Sequence, residues 1–354
     1  MGIADSIHPS KHLPFGVRPV NKLLLGAIVA LNLVSGFASA ALAQAEPTIR
    51  VAYAKCAHCT PVSLMPQYAT GLKIEAIGFN TGSDAMTALV SRNVDIAQST
   101  YQSFAVAMDR GFDLVAISGH VNGGSQILLG NDLPVQADDW AALKRLIDDD
   151  RAEGRPFRVA ASRGNAQDLQ MRGAMLAHGI DPNKDVQFIN IPNPPDHLMA
   201  LRRGEVDLIC TVEPFATQIR QAEAAKFFAF PYDQDTGTLT GLFLTRPDVI
   251  AERPMDVENA VRAWLKVDDL ISRDKSAWAD VIVKISGAPM PVATASIDNL
   301  FPDRAMHRAM AINIGRDMQK LGYVSHDVSA AIASHLDYRF LEAVTGKPKS
   351  ELGF

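Results

Sequence analysis

The sequence predicts an α/β fold organised as two similar lobes. Short β-like runs alternate with helical patterns along the chain, which is typical of α/β proteins with mainly parallel strand pairing. A helix–turn–strand unit occurs twice. In addition, a chain of 354 residues exceeds what a single hydrophobic core usually holds.

The repeat appears at a fixed offset of 112 residues, and an Arg-Val-Ala strand precedes each copy, at residues 50–52 and 158–160. Two similar α/β units in one chain indicate two similar lobes. Chance similarity between generic βα units is the alternative. The offset pairs Asp84 with Asp196, Ala88 with Ala200, Leu89 with Leu201, Val94 with Val206 and Asp95 with Asp207.

Hydrophobic periodicity and turn residues place the predicted elements along the chain. Strands are predicted at residues 48–54, 94–98, 114–118, 125–129, 158–161 and 240–245. Helices are predicted at residues 83–90, 101–109, 140–150, 257–272, 304–320 and 328–344. The three helices predicted after residue 256 must pack against another part of the protein, and we expect them to pack on the first lobe.

The N-terminus has the basic, apolar, small-residue order of a secretory signal peptide. Lys11, Arg18 and Lys22 precede an apolar run at residues 23–37, which is shorter than the roughly 20 residues that span a bilayer. We therefore predict that residues 1–43 are a signal peptide cleaved after Ala43, which places the mature protein in the periplasm. An uncleaved N-terminal anchor is the alternative.

Charge and motifs exclude some classes of function. The formal net charge is −5, and no basic stripe of the kind that binds nucleic acid occurs, so no nucleic-acid partner is expected. The chain also has no Gly-x-Ser-x-Gly elbow and no His-Glu-x-x-His helix. We therefore expect a non-enzymatic protein without a cofactor, and a monomer.

The three cysteines, Cys56, Cys59 and Cys210, are too few and odd in number for a disulfide framework. Cys56 and Cys59 could oxidise to a disulfide in the periplasm. A structural zinc site needs about four ligands, and because no second close pair of cysteines exists, no metal is expected. Each cysteine lies near a strand end, so the three thiols could approach one another between the lobes.

Four stretches carry a resemblance to a known family. The chain resembles the sulfonate/nitrate/taurine and thiamine-pyrimidine-precursor group of type II periplasmic substrate-binding proteins over residues 48–275. Its departures from the family are the Cys-Ala-His-Cys sequence after the first strand and a long, charged stretch at residues 137–156. The stretches are residues 80–84 with 94–96, residues 111–116, residues 200–207 with 213–215, and residues 242–248.

The resemblance implies a specific architecture: two Rossmann-like lobes with a ligand cleft between them, joined by a two-strand hinge. Lobe 1 would comprise residues 46–130 and 237–354, and lobe 2 residues 131–236. Strands near Leu128 and Leu242 would cross the hinge.

The resemblance also implies a function. The protein would be the solute-binding component of an ABC transporter that captures a small organic or inorganic anion, of the sulfonate, taurine, nitrate or aromatic acid type. It would deliver this ligand to the membrane permease. A pyrimidine-precursor binder is an alternative, as is an enzyme on the same fold that uses Cys56, His58 and Cys59.

Candidate ligand contacts follow from the position of strand ends, because ligands of open α/β sheets bind beyond the carboxyl ends of the strands. Two helix starts, at Gly82-Ser83 and Gly164-Asn165, could hold an anion between the lobes, with Arg163 as a bidentate partner. A carboxylate at residue 213 suggests a ligand that also carries an N–H donor or a positive group. The candidates are Tyr53, Cys56, His58, Gly82, Ser83, Ser99, Tyr101, His120, Asn122, Arg163, Gly164, Asn165 and Glu213.

Overall fold

The computed structural model of the protein describes residues 46–354. The predicted signal peptide and its cleavage site lie outside the described residues. None of the helices between residues 46 and 354 combines the length and the apolar character needed to cross a membrane.

Two five-stranded sheets and one two-stranded sheet form the β-structure of the described chain. The two large sheets confirm the predicted α/β class and its two-lobe organisation. The strands are β1 (Thr48–Ala54), β2 (Lys73–Phe79), β3 (Ile96–Thr100), β4 (Val115–Gly119), β5 (Val121–Gly123), β6 (Ser125–Leu129), β7 (Arg158–Ala161), β8 (Gln187–Asn190), β9 (Leu208–Val212), β10 (Lys226–Ala229), β11 (Gly241–Thr245) and β12 (Leu300–Pro302).

The two large sheets have equivalent topologies. Their strand orders are β2-β1-β3-β11-β4 and β8-β7-β9-β6-β10. In each sheet the first three strands are parallel, and the last two each run antiparallel to their neighbour. The fourth strand of each sheet is the one that the chain enters after leaving the other sheet.

The sequence repeat corresponds to the same ion pair in both sheets. The backbone N–H of Arg50 donates to Asp95 Oδ2 at 2.8 Å, and its Nη2 donates to Oδ1 at 3.1 Å. Arg158 makes the same two contacts with Asp207, both at 2.7 Å. In each case the arginine lies on the middle one of the three parallel strands, β1 or β7, and the aspartate precedes the next parallel strand, so the pair holds these two strands in register.

The helices surround the sheets, and most of those after β11 pack on the first sheet. Trp264 and Trp278 are buried in the same core as Val51 and Ile96 of the first sheet, as expected for the late helices. The helices are α1 (Met65–Tyr68), α2 (Gly82–Val90), α3 (Tyr101–Asp109), α4 (Trp140–Ala152), α5 (Ala166–Ala177), α6 (His197–Arg202), α7 (Phe215–Gln221), α8 (Pro247–Glu252), α9 (Pro254–Arg273), α10 (Lys275–Ser286), α11 (Met290–Ser296), α12 (Arg308–Lys320), α13 (Ser329–Ser334) and α14 (Arg339–Thr345).

Two late helices differ from the prediction. The helix predicted to start at residue 304 begins at Arg308, and Arg304 lies before it and pairs with Asp268. The helix predicted over residues 328–344 is divided into α13 and α14. Between them the chain forms a bridge to β4: Ala116 N–H donates to the His335 carbonyl, and Asp337 N–H donates to the Ala116 carbonyl, both at 2.8 Å.

The chain crosses between the two sheets twice, from β4 to β6 and from β10 to β11. Asn122 joins the two crossings, because its Oδ1 accepts hydrogen bonds from Thr240 N–H at 2.9 Å and from Gly241 N–H at 3.2 Å. The predicted boundary at residue 130 falls after β6, yet β6 is hydrogen-bonded to β9 and β10 of the second sheet. We therefore propose that the boundary between the lobes lies before Ser125.

Substitution of Gly119, at the end of β4, is expected to destabilise the chain. A Cβ there would lie against the backbone carbonyl of Ala305 and 2.6 Å from that of Asp303. Gly119→Ala should lower the free energy of unfolding by about 1–3 kcal/mol, the usual cost of overpacking. Gly82→Ala is the matched control, because a Cβ at Gly82 meets nothing within 4 Å. It should be neutral or stabilise by about 0.4–1 kcal/mol. Urea unfolding measures both, and equal effects would contradict this packing.

Candidate ligand-binding site

A cavity of about 640 Å³ lies between the carboxyl ends of the parallel strands of the two large sheets. Lys55 and Cys56 follow β1, and residues 80–82 follow β2. From the second sheet, Asn165 follows β7 and residues 192–196 follow β8. The cavity therefore occupies the crevice that open α/β sheets use to bind ligands.

The first-sheet wall consists of two capped helix starts and the end of β3. Thr81 caps α2 by accepting a hydrogen bond from Asp84 N–H, and Thr100 caps α3 by accepting one from Ser103 N–H, both at 3.1 Å. Ser99 also lines the wall, and its Oγ is buried without a hydrogen-bond partner in the described chain. A buried hydroxyl of this kind is normally satisfied, so Ser99 Oγ, unpaired within residues 46–354, is an unusual polar atom in the wall of the cavity.

The second-sheet wall combines amide groups with apolar faces. Asn165 and Gln167 come from the start of α5, and Gln218 from α7. Phe215 and the proline-rich segment 192–195 supply apolar surface. A wall of this composition can hydrogen-bond a ligand's polar groups while packing against its body.

The lining contains few charged groups, and they have opposite signs. Lys55 Nζ donates to Asn80 Oδ1 at 3.2 Å, and Asp196 lies on the second-sheet side. His58 is almost fully buried, and burial lowers its pKa to about 4, so it is neutral at pH 7. No arginine lines the cavity within residues 46–354.

A disulfide joins Cys56 and Cys59 in the cavity wall, on the turn that follows β1. Cys56 Sγ lies 3.3 Å from His58 Nε2. Two long-range contacts hold the turn: Trp278 Nε1 donates to the Ala57 carbonyl at 3.0 Å, and Ala57 N–H donates to the Glu213 carbonyl at 2.9 Å. The sulfur and ring-nitrogen atoms of Cys56, His58 and Cys59 lie within 4.8 Å of one another and are the one group of this kind within residues 46–354 that could hold a metal ion.

The structure brings five of the sequence-predicted residues together at the cavity and places the other eight elsewhere. The five are Cys56, His58, Gly82, Ser99 and Asn165. The eight that do not line it are Tyr53, Ser83, Tyr101, His120, Asn122, Arg163, Gly164 and Glu213.

Three of the eight have structural roles near the crossings. Tyr101 is fully buried, and its hydroxyl donates to the Met306 carbonyl at 2.9 Å. His120 stacks on Trp264 with ring centroids 4.2 Å apart, and burial holds its pKa well below the usual value. Asn122 joins the two crossing segments, as described above.

Glu213 is fully buried behind the cavity wall. It accepts hydrogen bonds from the Gln126 side chain and, at 3.1 Å, from Thr217 N–H. Burial raises its pKa to about 7, although the Thr217 hydrogen bonds partly oppose the shift. The acid is therefore partly protonated at neutral pH and contacts the protein interior.

Tyr53 and Ser83 belong to the first lobe but do not line the cavity. The Tyr53 ring packs in the core. Its hydroxyl oxygen lies only 3.1 Å from the position that a Cβ of residue 78 would occupy, so Gly78 on β2 leaves room for it. Ser83 lies in the first turn of α2 and is exposed, because the cap of this helix is Thr81 and not Ser83.

Arg163 is exposed, and Gly164 donates its N–H to Asp168 Oδ2 at 2.8 Å. Asp168 is fully buried; it also accepts a hydrogen bond from Arg172 Nε at 2.9 Å and one from the Tyr323 hydroxyl. Because Tyr323 follows α12 and Asp168 belongs to α5, this contact joins the helices of the first sheet to those of the second.

Cys210 does not approach the other two cysteines at the cavity. It is fully buried on β9 in the core of the second sheet, and burial raises its pKa well above the usual value. The expected approach of three thiols between the lobes is therefore wrong.

The strand-end argument missed most of the polar lining. Most of these side chains lie one or two residues from positions that it identified, whereas Asn193, Asp196, Gln218 and Ser286 lie farther away. Thr81 and Thr100 could have been found as helix caps, since threonine is one of the residues preferred at the N-cap position. The missed polar residues are Lys55, Asn80, Thr81, Gln98, Thr100, Ser103, Gln167, Asn193, Asp196, Gln218 and Ser286.

Known proteins are similar to this chain in sequence or in fold. The nitrate/nitrite binding protein NrtA of Synechococcus elongatus is 34% identical over 100 residues, which covers 27% of this chain and 22% of that protein. The periplasmic nitrate-binding protein NrtA of Synechocystis PCC 6803 has the same fold, with a TM-score of 0.73 at 16% identity over 86% of this chain and 90% of that one.

A second solved structure also shares the fold. The alkanesulfonate-binding protein SsuA of Xanthomonas axonopodis pv. citri, bound to MOPS, matches with a TM-score of 0.67 at 18% identity over 82% of this chain and 98% of that one. The model of the NMT1-like family matches residues 42–286. Since this match covers more than half of the chain, the protein belongs to the NMT1-like family.

Proposed function

We propose that this protein is the periplasmic solute-binding component of an ABC importer, which captures a small molecule and delivers it to the membrane permease. The observation that carries the proposal is the cavity between the strand ends of two equivalent sheets. Structures of the same fold include a nitrate-binding and an alkanesulfonate-binding protein, which supports a binding role.

The lining favours a polar organic solute. A volume of about 640 Å³ is within the range of pockets that enclose whole organic molecules. Amide and hydroxyl groups dominate the polar lining, while Phe215 and the prolines of segment 192–195 provide flat apolar faces. A ligand with both donors and acceptors on a compact apolar body fits these walls better than a bare inorganic anion does.

The cavity supports binding better than catalysis. An enzyme that used Cys56 or Cys59 as a nucleophile would need a free thiolate. In the structure both sulfurs are joined in the disulfide, and neither is free to attack a substrate. We therefore assign the Cys56, His58 and Cys59 group to the wall of a binding site.

A thermal-shift screen of the purified chain tests the proposal. The panel contains nitrate, taurine, longer alkanesulfonates, aromatic acids and neutral pyrimidines. Because a ligand that binds the native state alone stabilises it by mass action, a ligand at 100 times its Kd adds about 2.7 kcal/mol to the free energy of unfolding. The organic members should raise Tm and nitrate should not; a response to nitrate alone would contradict the assigned ligand class.

Substitutions in the lining should weaken binding of the best ligand from that screen. Ser99→Ala and Gln167→Ala each remove one hydrogen-bonding group from the cavity, which should cost about 0.5–1.5 kcal/mol of binding free energy. Arg163→Ala is the control, because this arginine was predicted to contact the ligand yet lies outside the cavity. Titration calorimetry should show weaker binding for the first two variants and unchanged binding for the third. The opposite ranking would contradict the cavity assignment and place the ligand at Arg163, on the loop between β7 and α5.

A further inference from the structure

We propose that Cys56, His58 and Cys59 form a redox-gated metal site in the cavity wall, which in its reduced form binds one borderline or soft cation such as Zn²⁺. The three residues supply two thiolates and one imidazole, a ligand set that suits Zn²⁺. The site occupies the part of the cavity wall formed by the turn after β1, beside the polar side chains that hold the solute in the proposed function, and it does not depend on which solute binds.

The first argument is the spacing of the ligand atoms. In tetrahedral zinc sites, bonds of about 2.3 Å to sulfur and 2.0 Å to nitrogen place a sulfur and a nitrogen ligand about 3.5 Å apart. Cys56 Sγ lies 3.3 Å from His58 Nε2 and 3.5 Å from His58 Nδ1. The sulfur is almost equally far from the two nitrogens and therefore lies against the face of the ring, so rotation of the imidazole about its Cβ–Cγ bond is needed to direct one nitrogen at a metal bound to that sulfur. The three potential ligands lie within 4.8 Å of one another.

The second argument is that the turn carrying the ligands is held independently of the disulfide. The Ala57 carbonyl accepts hydrogen bonds from Trp278 Nε1 and Thr60 Oγ1, both at 3.0 Å, and Ala57 N–H donates to the Glu213 carbonyl at 2.9 Å. Such outer contacts orient metal ligands and contribute to affinity. The turn should therefore keep its shape when the sulfur–sulfur bond opens.

The third argument is access. Cys56 is half-buried, and all three residues line the 640 Å³ cavity. Three protein ligands leave one tetrahedral position open, as in zinc sites that exchange a ligand. That position would face the cavity, where water or a donor atom of a bound molecule can complete the coordination.

The redox step balances with a dithiol as reductant. The dithiol transfers two electrons and two protons to the Cys56–Cys59 disulfide, which yields two protein thiols while the dithiol becomes a disulfide. Binding of a divalent cation then releases the two thiol protons, because the thiolate is the ligand. A disulfide compound accepts two electrons from the metal-bound thiolates and takes up two protons to become two thiols, which restores the Cys56–Cys59 disulfide and releases the cation.

Anaerobic titration with Co²⁺ tests the proposal, with Zn²⁺ as the competitor. The full chain is reduced with dithiothreitol and desalted, and circular dichroism monitors its fold. The reduced chain should bind one Co²⁺ with a thiolate-to-cobalt absorption band that Zn²⁺ abolishes, and the oxidised chain should show no band. Cys56→Ser and Cys59→Ser should lose the band.

His58→Ala should weaken metal binding by at least about 10-fold, because mutation of residues that only contact a metal ligand already causes a loss of this size. Cys210→Ser is the matched control, because this buried cysteine lies outside the cavity and should leave the titration unchanged. A folded, reduced chain without the thiolate band overturns the proposal, as does a band that survives in Cys56→Ser. Loss of the fold on reduction overturns it too, since the site requires the intact turn. None of these outcomes affects the solute screen, which uses the oxidised chain.

Discussion

When the pH rises from 4 to 8, the free energy of unfolding of the Glu213→Gln variant is expected to increase by about 3 kcal/mol relative to that of the parent chain. The pKa of Glu213 is about 7 in the folded chain and 4.5 for an ordinary glutamate, with burial as the main cause of the shift. A group whose folded pKa is raised stabilises the fold fully below its unfolded pKa. This contribution is lost as the pH rises through its folded pKa, here between pH 4.5 and 7.

Glutamine cannot ionise, so the variant avoids this loss at high pH. It also offers an N–H donor beside Gln126, whose Oε1 is buried without a hydrogen-bond partner in the described chain. Urea unfolding of both proteins at pH 4, 6 and 8 measures the effect. Glu205→Gln is the control, because Glu205 is exposed and precedes the same strand, β9. A difference between Glu213→Gln and the parent that does not change with pH would show that Glu213 is not buried as described.

Asp168→Ala is expected to lower the free energy of unfolding by about 3–5 kcal/mol, the usual cost of breaking a buried ion pair. Asp168 is fully buried and its partner Arg172 nearly so, with 2.9 Å between Asp168 Oδ1 and Arg172 Nε. Alanine would leave the guanidinium uncompensated and would also remove the acceptor of the Tyr323 hydroxyl.

The control for this variant is Asp148→Ala in the same lobe. Asp148 pairs with Lys144 and Arg151 on the surface of α4, and exposed pairs contribute about 0–1 kcal/mol. Urea unfolding at pH 7 compares the two variants, and similar losses would contradict the burial of the Asp168 pair. Tyr323→Phe should cost less than Asp168→Ala, because it removes one hydrogen bond and keeps the ion pair.

The repeated architecture could be predicted because its cause is local in sequence. The aspartates at positions 95 and 207 recur at a fixed offset, and in the fold each binds the arginine on the middle one of the three parallel strands of its sheet. Edge strands gave a weaker signal. β2 and β8 lie at sheet edges and are only partly buried, so they lack the apolar alternation that reveals a half-buried strand.

The site could be predicted only to within a few residues. Strand ends locate the crevice, but the direction of each side chain depends on tertiary packing that the sequence does not display. Ser99 and Tyr101 are two residues apart at the end of β3, yet Ser99 lines the cavity while Tyr101 points into the core toward Met306. Likewise, the division of the helix predicted over residues 328–344 results from a bridge to β4, which is distant in sequence.

The central claim is that the solute binds in the cavity between the two sheets, and two tryptophan variants on one helix test it most directly. Gln218 on α7 lines the cavity, whereas Gln221 on the same helix is exposed and does not. The measurement is titration calorimetry of the best ligand from the screen against the parent chain and both variants. Gln218→Trp fills the site and should abolish 1:1 binding, while Gln221→Trp should bind like the parent. Equal binding by all three proteins would contradict the assigned site.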